Sequence, residues 1–314
     1  MAWRYVNPGY SKLIQYINNS SSLTNIIDAS KSKTGVAYTN SSDTNRYSFS
    51  TIPANSEYWI KANFYCATVL YPKFMEYYSG DAQNGIYLAG NTSSCSIYYY
   101  AGNSLYTLLS NAAQALTGIK ANAVNTIWIH VKYGAVGEGF IELQINNKQF
   151  DRIYPTKALS RGSGDFEYVI SGNSSVCFSS VIISDEEISP YEELVRLPVA
   201  STTTDMSARD GGGYIASDTS QTLLQAVDTT ALEVEYGSDA KVTSIALVGN
   251  PAYEVDEVLT KMTSLTKTGG VTTEHETIQL SHESDSVIVS SFTTASDTTL
   301  GDLSNWQFGW KASE

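Results

Sequence analysis

Two segments of this sequence interleave aromatic rings with amides and small hydroxyls: Phe74-Met75-Glu76-Tyr77-Tyr78-Ser79-Gly80-Asp81-Ala82-Gln83-Asn84-Gly85 and Tyr98-Tyr99-Tyr100-Ala101-Gly102-Asn103. That mixture suits sugar recognition, in which a flat ring stacks on the apolar side of a pyranose while Asn, Asp and backbone amides bind its hydroxyls. The candidates are Tyr77, Tyr78, Tyr98, Tyr100 and Asn103. Period-two alternation sends Tyr98 and Tyr100 to the face opposite Ile97 and Tyr99, so one of the two pairs should be exposed. The same tyrosines could instead cover a sandwich face or an oligomer interface.

The titratable residues offer less. His275 and His282, in Glu274-His275-Glu276 and Ser281-His282-Glu283, stand seven apart. A zincin helix needs two histidines about four apart, and on a strand an odd separation puts them on opposite faces. His130 lies on the outward register of its strand with Trp128 and Lys132, which predicts a lone surface histidine. The acidic residues Asp185, Glu186, Glu187, Glu192 and Glu193 read as a solvated turn. Cys66, Cys95 and Cys177 are too few and too scattered for a disulfide framework, and no CxxC pair offers a zinc site. They are expected as buried thiols. No Gly-x-Ser-x-Gly elbow, P-loop or GxGxxG fingerprint occurs.

The elements that must position these residues are strands. In Thr126-Ile127-Trp128-Ile129-His130-Val131-Lys132-Tyr133 and Gly139-Phe140-Ile141-Glu142-Leu143-Gln144-Ile145 apolar residues alternate with polar or aromatic ones, predicting one buried and one wet face. Asn146-Asn147 then supplies two residues that tolerate positive φ, as a tight hairpin requires. Glu57–Tyr65 and Ser96–Tyr100 read as further strands. Short helices are expected at Leu105–Ala115 and Val255–Met262, and a strand at Ala231–Tyr236.

Composition divides the chain. There are 14 basic and 15 acidic residues up to Pro198, and 5 and 17 beyond it, so the two parts carry −1 and −12 of the total −13. Nineteen of the 22 tyrosines lie at or before Tyr191. The run Leu197-Pro198-Val199-Ala200-Ser201-Thr202-Thr203-Thr204, leading to Gly211-Gly212-Gly213, reads as a linker over 199–214. Two domains follow, 1–198 and an acidic, β-rich 215–314. The acidic excess argues against nucleic acid, whose binders rest on positive charge, and against anionic membrane surfaces. No apolar run reaches about eighteen residues, and Met1-Ala2-Trp3-Arg4-Tyr5-Val6-Asn7-Pro8-Gly9-Tyr10 lacks a signal-peptide core. Neither membrane insertion nor signal-directed export is expected.

The hairpin from Trp128 to Gln149, with Val176–Ile188 as a closing strand, resembles the concanavalin A-like lectin and laminin G-like superfamily over about residues 1–198. The resemblance implies an all-β chain with an N-terminal jelly-roll sandwich. Related lectins often hold calcium with Asp and Asn in loops, which makes Asp81 and Asn84 the candidate pair here. Glycosidases of this fold share a Glu-x-Asp-x-(x)-Glu strand motif that presents paired carboxylates. The matching strand here offers Glu142 followed by Gln144, so the resemblance implies binding without catalysis. The opening Trp3–Tyr10 and the closing Trp306-Gln307-Phe308-Gly309-Trp310 resemble lectin-like virion proteins of phages and prophages. That resemblance implies a tail-fibre-like protein exposed on the particle, a homo-oligomer contacting other virion proteins and a bacterial surface glycan. A structural capsid or head-decoration protein and a polysaccharide hydrolase are the alternatives.

Overall fold

The computed structural model describes residues 3–7, 23–26, 37–40, 47–49, 57–66, 69–70, 76–79, 82–91, 94–101, 104–109, 120–149, 151–159, 166–168, 176–208, 214–216, 220–249, 251, 259–280 and 288–314. Contacts divide the chain into two units, Ala2–Arg196 and Leu197–Glu314. The chain is all-β, a jelly-roll sandwich followed by a smaller β-rich unit.

The alternation read around Trp128 is realised in the first unit. Ala123–Lys132 pairs antiparallel with Phe140–Ile145 on one side and with Glu57–Cys66 on the other. Val176–Ser184 continues the sheet beyond Glu57–Cys66, and Trp3–Asn7 and Ala37–Asn40 both pair with it in turn. Lys148–Gln149 and Leu23–Ile26 complete eight strands. Tyr58, Ile60, Ala62 and Phe64 share one face with Ile127, Ile129, Val131, Ile141, Leu143, Ile145, Val181 and Ile183, none more than 2% exposed. Burial of these apolar side chains is the main force holding the unit together. Phe64 and Phe178 meet there with ring centroids 6.5 Å apart.

Asn146 and Asn147 take φ of 46° and 66° and turn Phe140–Ile145 back into Lys148–Gln149. Asn146 is held in place: its Oδ1 accepts from the Thr126 backbone N–H at 2.8 Å, and its Nδ2 donates to Asn125 Oδ1 at 2.7 Å. Asn147 is exposed and has only the turn to satisfy. We therefore expect Asn147→Val to destabilise the unit by about 1–2 kcal/mol, the cost of a left-handed conformation without glycine, and Asn147→Gly to be neutral or stabilising, as read by urea unfolding.

A second sheet in the same unit has five strands. Ser104–Leu109, Ser94–Ala101 and Ala82–Asn91 run in order, and Val69–Leu70 and Glu76–Ser79 both pair with Ala82–Asn91. The helix expected from Leu105 is instead this strand, with 110–115 outside the described residues. Ser104 pairs with Ala101, so the segment closes a hairpin, and its β-favouring Tyr106 and Thr107 pair with Tyr99 and Tyr98.

In the second unit Val199–Thr204, Gln221–Val227, Trp306–Ser313, Lys261–Thr268 and Val271–Gln279 form a five-stranded antiparallel sheet. Val199–Thr204, expected as linker, is thus an edge strand, a role that suits β-branched threonines. Ala231–Tyr236, expected as a strand, lies in the helix Thr230–Tyr236. Leu232 packs against the core of Ile245, Leu300, Leu303 and Phe308 while Val234 is 86% exposed. Two residues of one strand face would not part in this way, but positions two apart on a helix point to different sides. Asp228 Oδ1 accepts the Thr230 N–H at 3.0 Å at the start, and Gly237, at φ 90°, ends the helix. Lys261 and Met262, the end of the other expected helix, open the strand Lys261–Thr268, while 252–258 lie outside the described residues.

Candidate functional site

The five-stranded sheet gathers most of the tyrosine positions singled out above. Tyr98 pairs with Tyr87 and Thr107, and Tyr100 with Gly85 and Leu105. Tyr78 pairs with Gln83 and Tyr77 with Asn84. Directly paired positions share a face and neighbours along a strand alternate, so positions 78, 87, 98 and 100 fall on one face and 77 and 84 on the other. Tyr87, which sequence reading passed over, completes the group. Its signal was available in the alternation of Gly85, Tyr87 and Ala89 with Ile86 and Leu88. Asn103 and Asp81 lie outside the described residues. Asn84 stands within a strand, not in a loop, so the expected calcium pair is half described. Among the described residues no group of three or more His, Cys, Asp or Glu is arranged to hold a metal.

The eight-stranded sheet holds a polar cluster that sequence reading missed. His130, expected as a lone surface histidine, is 7% exposed and bridges two carboxylates. Its Nδ1 lies 2.7 Å from Glu142 Oε2 and its Nε2 2.8 Å from Glu57 Oε1. Glu142 pairs with it directly across the hairpin, while Glu57 arrives from the neighbouring strand, which pairs Trp59 with His130. The Trp59 ring stacks on the imidazole at 4.4 Å, and Phe140 meets it edge-on at 5.0 Å. Arg152 donates from Nε to Glu142 Oε1 at 2.8 Å, with its guanidinium 3.9 Å above the Phe140 ring.

This second face of the sheet was expected to be wet. It is covered because the chain after Val176–Ser184 turns back over it: Ile188 is fully buried and accepts from Trp128 Nε1 at 2.7 Å, and Pro190 accepts from Lys61 Nζ at 2.9 Å. Within that turn Glu186, Glu187 and Glu193 are exposed, as read from the sequence. Glu192 is half-buried, and burial pushes its carboxyl up against the opposing charge of Lys61.

With both ring nitrogens occupied and little exposure, His130 is placed as a strut between strands. Burial pushes the Glu142 carboxyl up, but hydrogen bonds from His130 and Arg152, with their charges, outweigh this and hold it below the usual glutamate value of 4.5. A depressed carboxyl contributes stability above its unfolded-state pKa, and that contribution is lost as pH falls through the lower folded value. In urea unfolding, the stability advantage of the wild type over Glu142→Gln is expected to be constant from pH 7 to about 5 and to shrink below pH 4.5.

In the second unit His275 stacks on Phe292 at 3.9 Å and faces Thr266 Oγ1 at 2.8 Å, and burial lowers its pKa. His282 lies outside the described residues. Among the described residues no helix is long and apolar enough to cross a membrane.

No family model matches this chain, and no curated protein does. Among solved structures it is similar to an endo-β-1,4-glucuronan lyase from the fungus Trichoderma reesei, at 12% identity over 58% of this chain and 95% of that one, with a TM-score of 0.42. Domain 4 of AbnA, a GH43 extracellular arabinanase from Geobacillus stearothermophilus solved with arabinotriose, matches at 8% identity over 59% and 84%, TM-score 0.40. The metal-free carbohydrate recognition domain of Emp46p matches at 14% identity over 60% and 100%, TM-score 0.33.

Proposed function

We propose that this chain is a non-enzymatic, lectin-like virion protein of a phage or prophage, whose jelly-roll unit binds a bacterial surface glycan. The observation that carries the reading is the register that gathers positions 78, 87, 98 and 100 on one sheet face. Tyrosine at four positions of one sheet face suits sugar recognition, since a phenol ring can stack on a pyranose and its hydroxyl can add a hydrogen bond. Glu142, the carboxylate aligned with the glycosidase strand motif, is engaged by His130 and Arg152 and held low, whereas a general acid needs a raised pKa. The virion setting and contacts with copies of itself and other virion proteins extend the sequence resemblance. The acidity of the second unit adds a reason to exclude polyanionic partners.

The test applies the whole chain to an array of bacterial surface polysaccharides and to intact bacterial cells that display them. Retention on at least one polysaccharide and on the cells that display it is expected. No retention anywhere overturns glycan binding, and release of reducing ends from a retained polysaccharide overturns the non-enzymatic reading.

A further inference from the structure

We infer that the second unit carries a sugar site of its own, independent of the tyrosine positions of the first: a hollow that takes one uncharged pyranose ring. The hollow has a volume of about 220 Å³ and is lined by Asp297, Thr298, Asp302, Asn305 and Trp306. Pockets for drug-sized ligands run from about 300 Å³ upward, so this one suits a single small ring. Its walls are held from behind. Leu300 and Leu303 lie in the core of the unit, and Trp306 packs against the same cluster. Asp302 Oδ2 accepts from the Thr299 N–H and hydroxyl, both at 2.8 Å, and the Val242 N–H donates to the Thr298 carbonyl at 3.0 Å. A hollow fixed in this way needs little ordering when a ligand enters.

The polar groups that the chain leaves unused in the hollow name the ligand. Among the described residues the Asp297 carboxylate, the Thr298 hydroxyl, the Asn305 amide and the Trp306 indole N–H make no hydrogen bond, and Asp302 keeps Oδ1 free while Oδ2 serves Thr299. Thr298 is only 6% exposed, and a hydroxyl so placed is normally paired. An indole N–H donates, carboxylates accept, and the amide and the hydroxyl do both. A fitting ligand must therefore donate and accept at several points around a compact body. A bare cation would serve the carboxylates and leave the indole and amide N–H groups idle. Sugar hydroxyls both donate and accept, and the partly exposed Trp306 ring offers a face for the apolar side of a pyranose.

Charge narrows the class. Two carboxylates, Asp297 and Asp302, line the hollow, and the N–H and hydroxyl of Thr299 hold the Asp302 carboxyl below the usual aspartate value of 3.8, so it stays an acceptor. Lys241 is not among the lining residues, and its Nζ donates to the Asp297 carbonyl oxygen at 3.0 Å. A uronate or a sulfated sugar would meet both carboxylates and be repelled. A sugar that carries only hydroxyl or acetamido groups complements them.

The test titrates the whole chain with methyl α-glucoside, methyl α-galactoside and N-acetylglucosamine, and with glucuronate as the acidic counterpart, followed by tryptophan fluorescence and calorimetry. At least one of the three uncharged sugars is expected to bind saturably with a Kd of about 1 mM, and glucuronate at least about tenfold more weakly. Asp297→Ala/Asn305→Ala should weaken that binding by about tenfold or more with Tm unchanged, because neither side chain holds another part of the chain. Thr298→Val should weaken it while keeping or raising Tm, since it removes an unpaired hydroxyl, and this variant decides alone if the double one does not fold. Tyr98→Ala/Tyr100→Ala should leave the binding unaltered. No binding of any uncharged sugar, equal binding of glucuronate, or unchanged affinity in a folded variant of the hollow overturns the inference. So does loss of the signal in Tyr98→Ala/Tyr100→Ala, which would assign it to the jelly-roll unit.

Discussion

His130→Ala is expected to destabilise the jelly-roll unit by about 3 kcal/mol, from the loss of two hydrogen bonds to carboxylates together with the packing of its ring. The imidazole separates Glu57 from Glu142, whose side chains are 33% and 21% exposed. Taking it away leaves two carboxylates facing each other across a gap in a covered sheet face, with Trp59 and Phe140 losing the ring they pack against. The residual exposure lets water relieve part of the charge. In a unit of this size the change corresponds to a fall in Tm of about 6–12 °C. Trp59 reports it directly, because its ring lies on the imidazole. A loss under about 1 kcal/mol would mean that the cluster is a surface ion-pair set with little structural weight.

Gly309→Ala is the largest effect expected in the second unit. Gly309 sits in the central strand Trp306–Ser313, paired with Leu224 on one side and Leu265 on the other. A Cβ there would stand 1.7 Å from the Leu223 carbonyl oxygen and 2.8 Å from its carbon. Both are backbone atoms held in a ladder, so no side chain can swing aside, and the strands must part. Overpacking of this kind costs about 3 kcal/mol or more. Guanidinium unfolding followed through Trp306 and Trp310 measures it in the unit concerned. Stability within about 0.5 kcal/mol of wild type would show that the sheet yields at this point.

What could be read from the sequence was what local period and turn chemistry carry. Ile127, Ile129 and Val131 against Ile141, Leu143 and Ile145 announced the hairpin, and Asn146-Asn147 its turn. Counting outward from a turn centred on Val136 would also have paired His130 with Glu142. Glu57 could not be added that way, because it meets His130 from 73 residues away in sequence. The wet face expected for Trp128 and His130 failed for a related reason: the cover comes from Ile188 and Pro190, and single-strand alternation says nothing about what folds over a sheet. Ala231–Tyr236 shows the ambiguity of short patterns, since six residues satisfy a strand and a helix alike and Asp228 and Gly237 decide between them. The tyrosines were legible as a composition. Their division into positions 78, 87, 98 and 100 against 77 needed the cross-strand register.

The most direct test of the tyrosine face compares the wild type with Tyr98→Ala/Tyr100→Ala on the polysaccharides that the wild type retains. With two stacking faces removed, affinity is expected to fall about a hundredfold or more, while circular dichroism and Tm show the fold intact. Unchanged affinity in a folded double variant would contradict the account and place any glycan site elsewhere on the molecule.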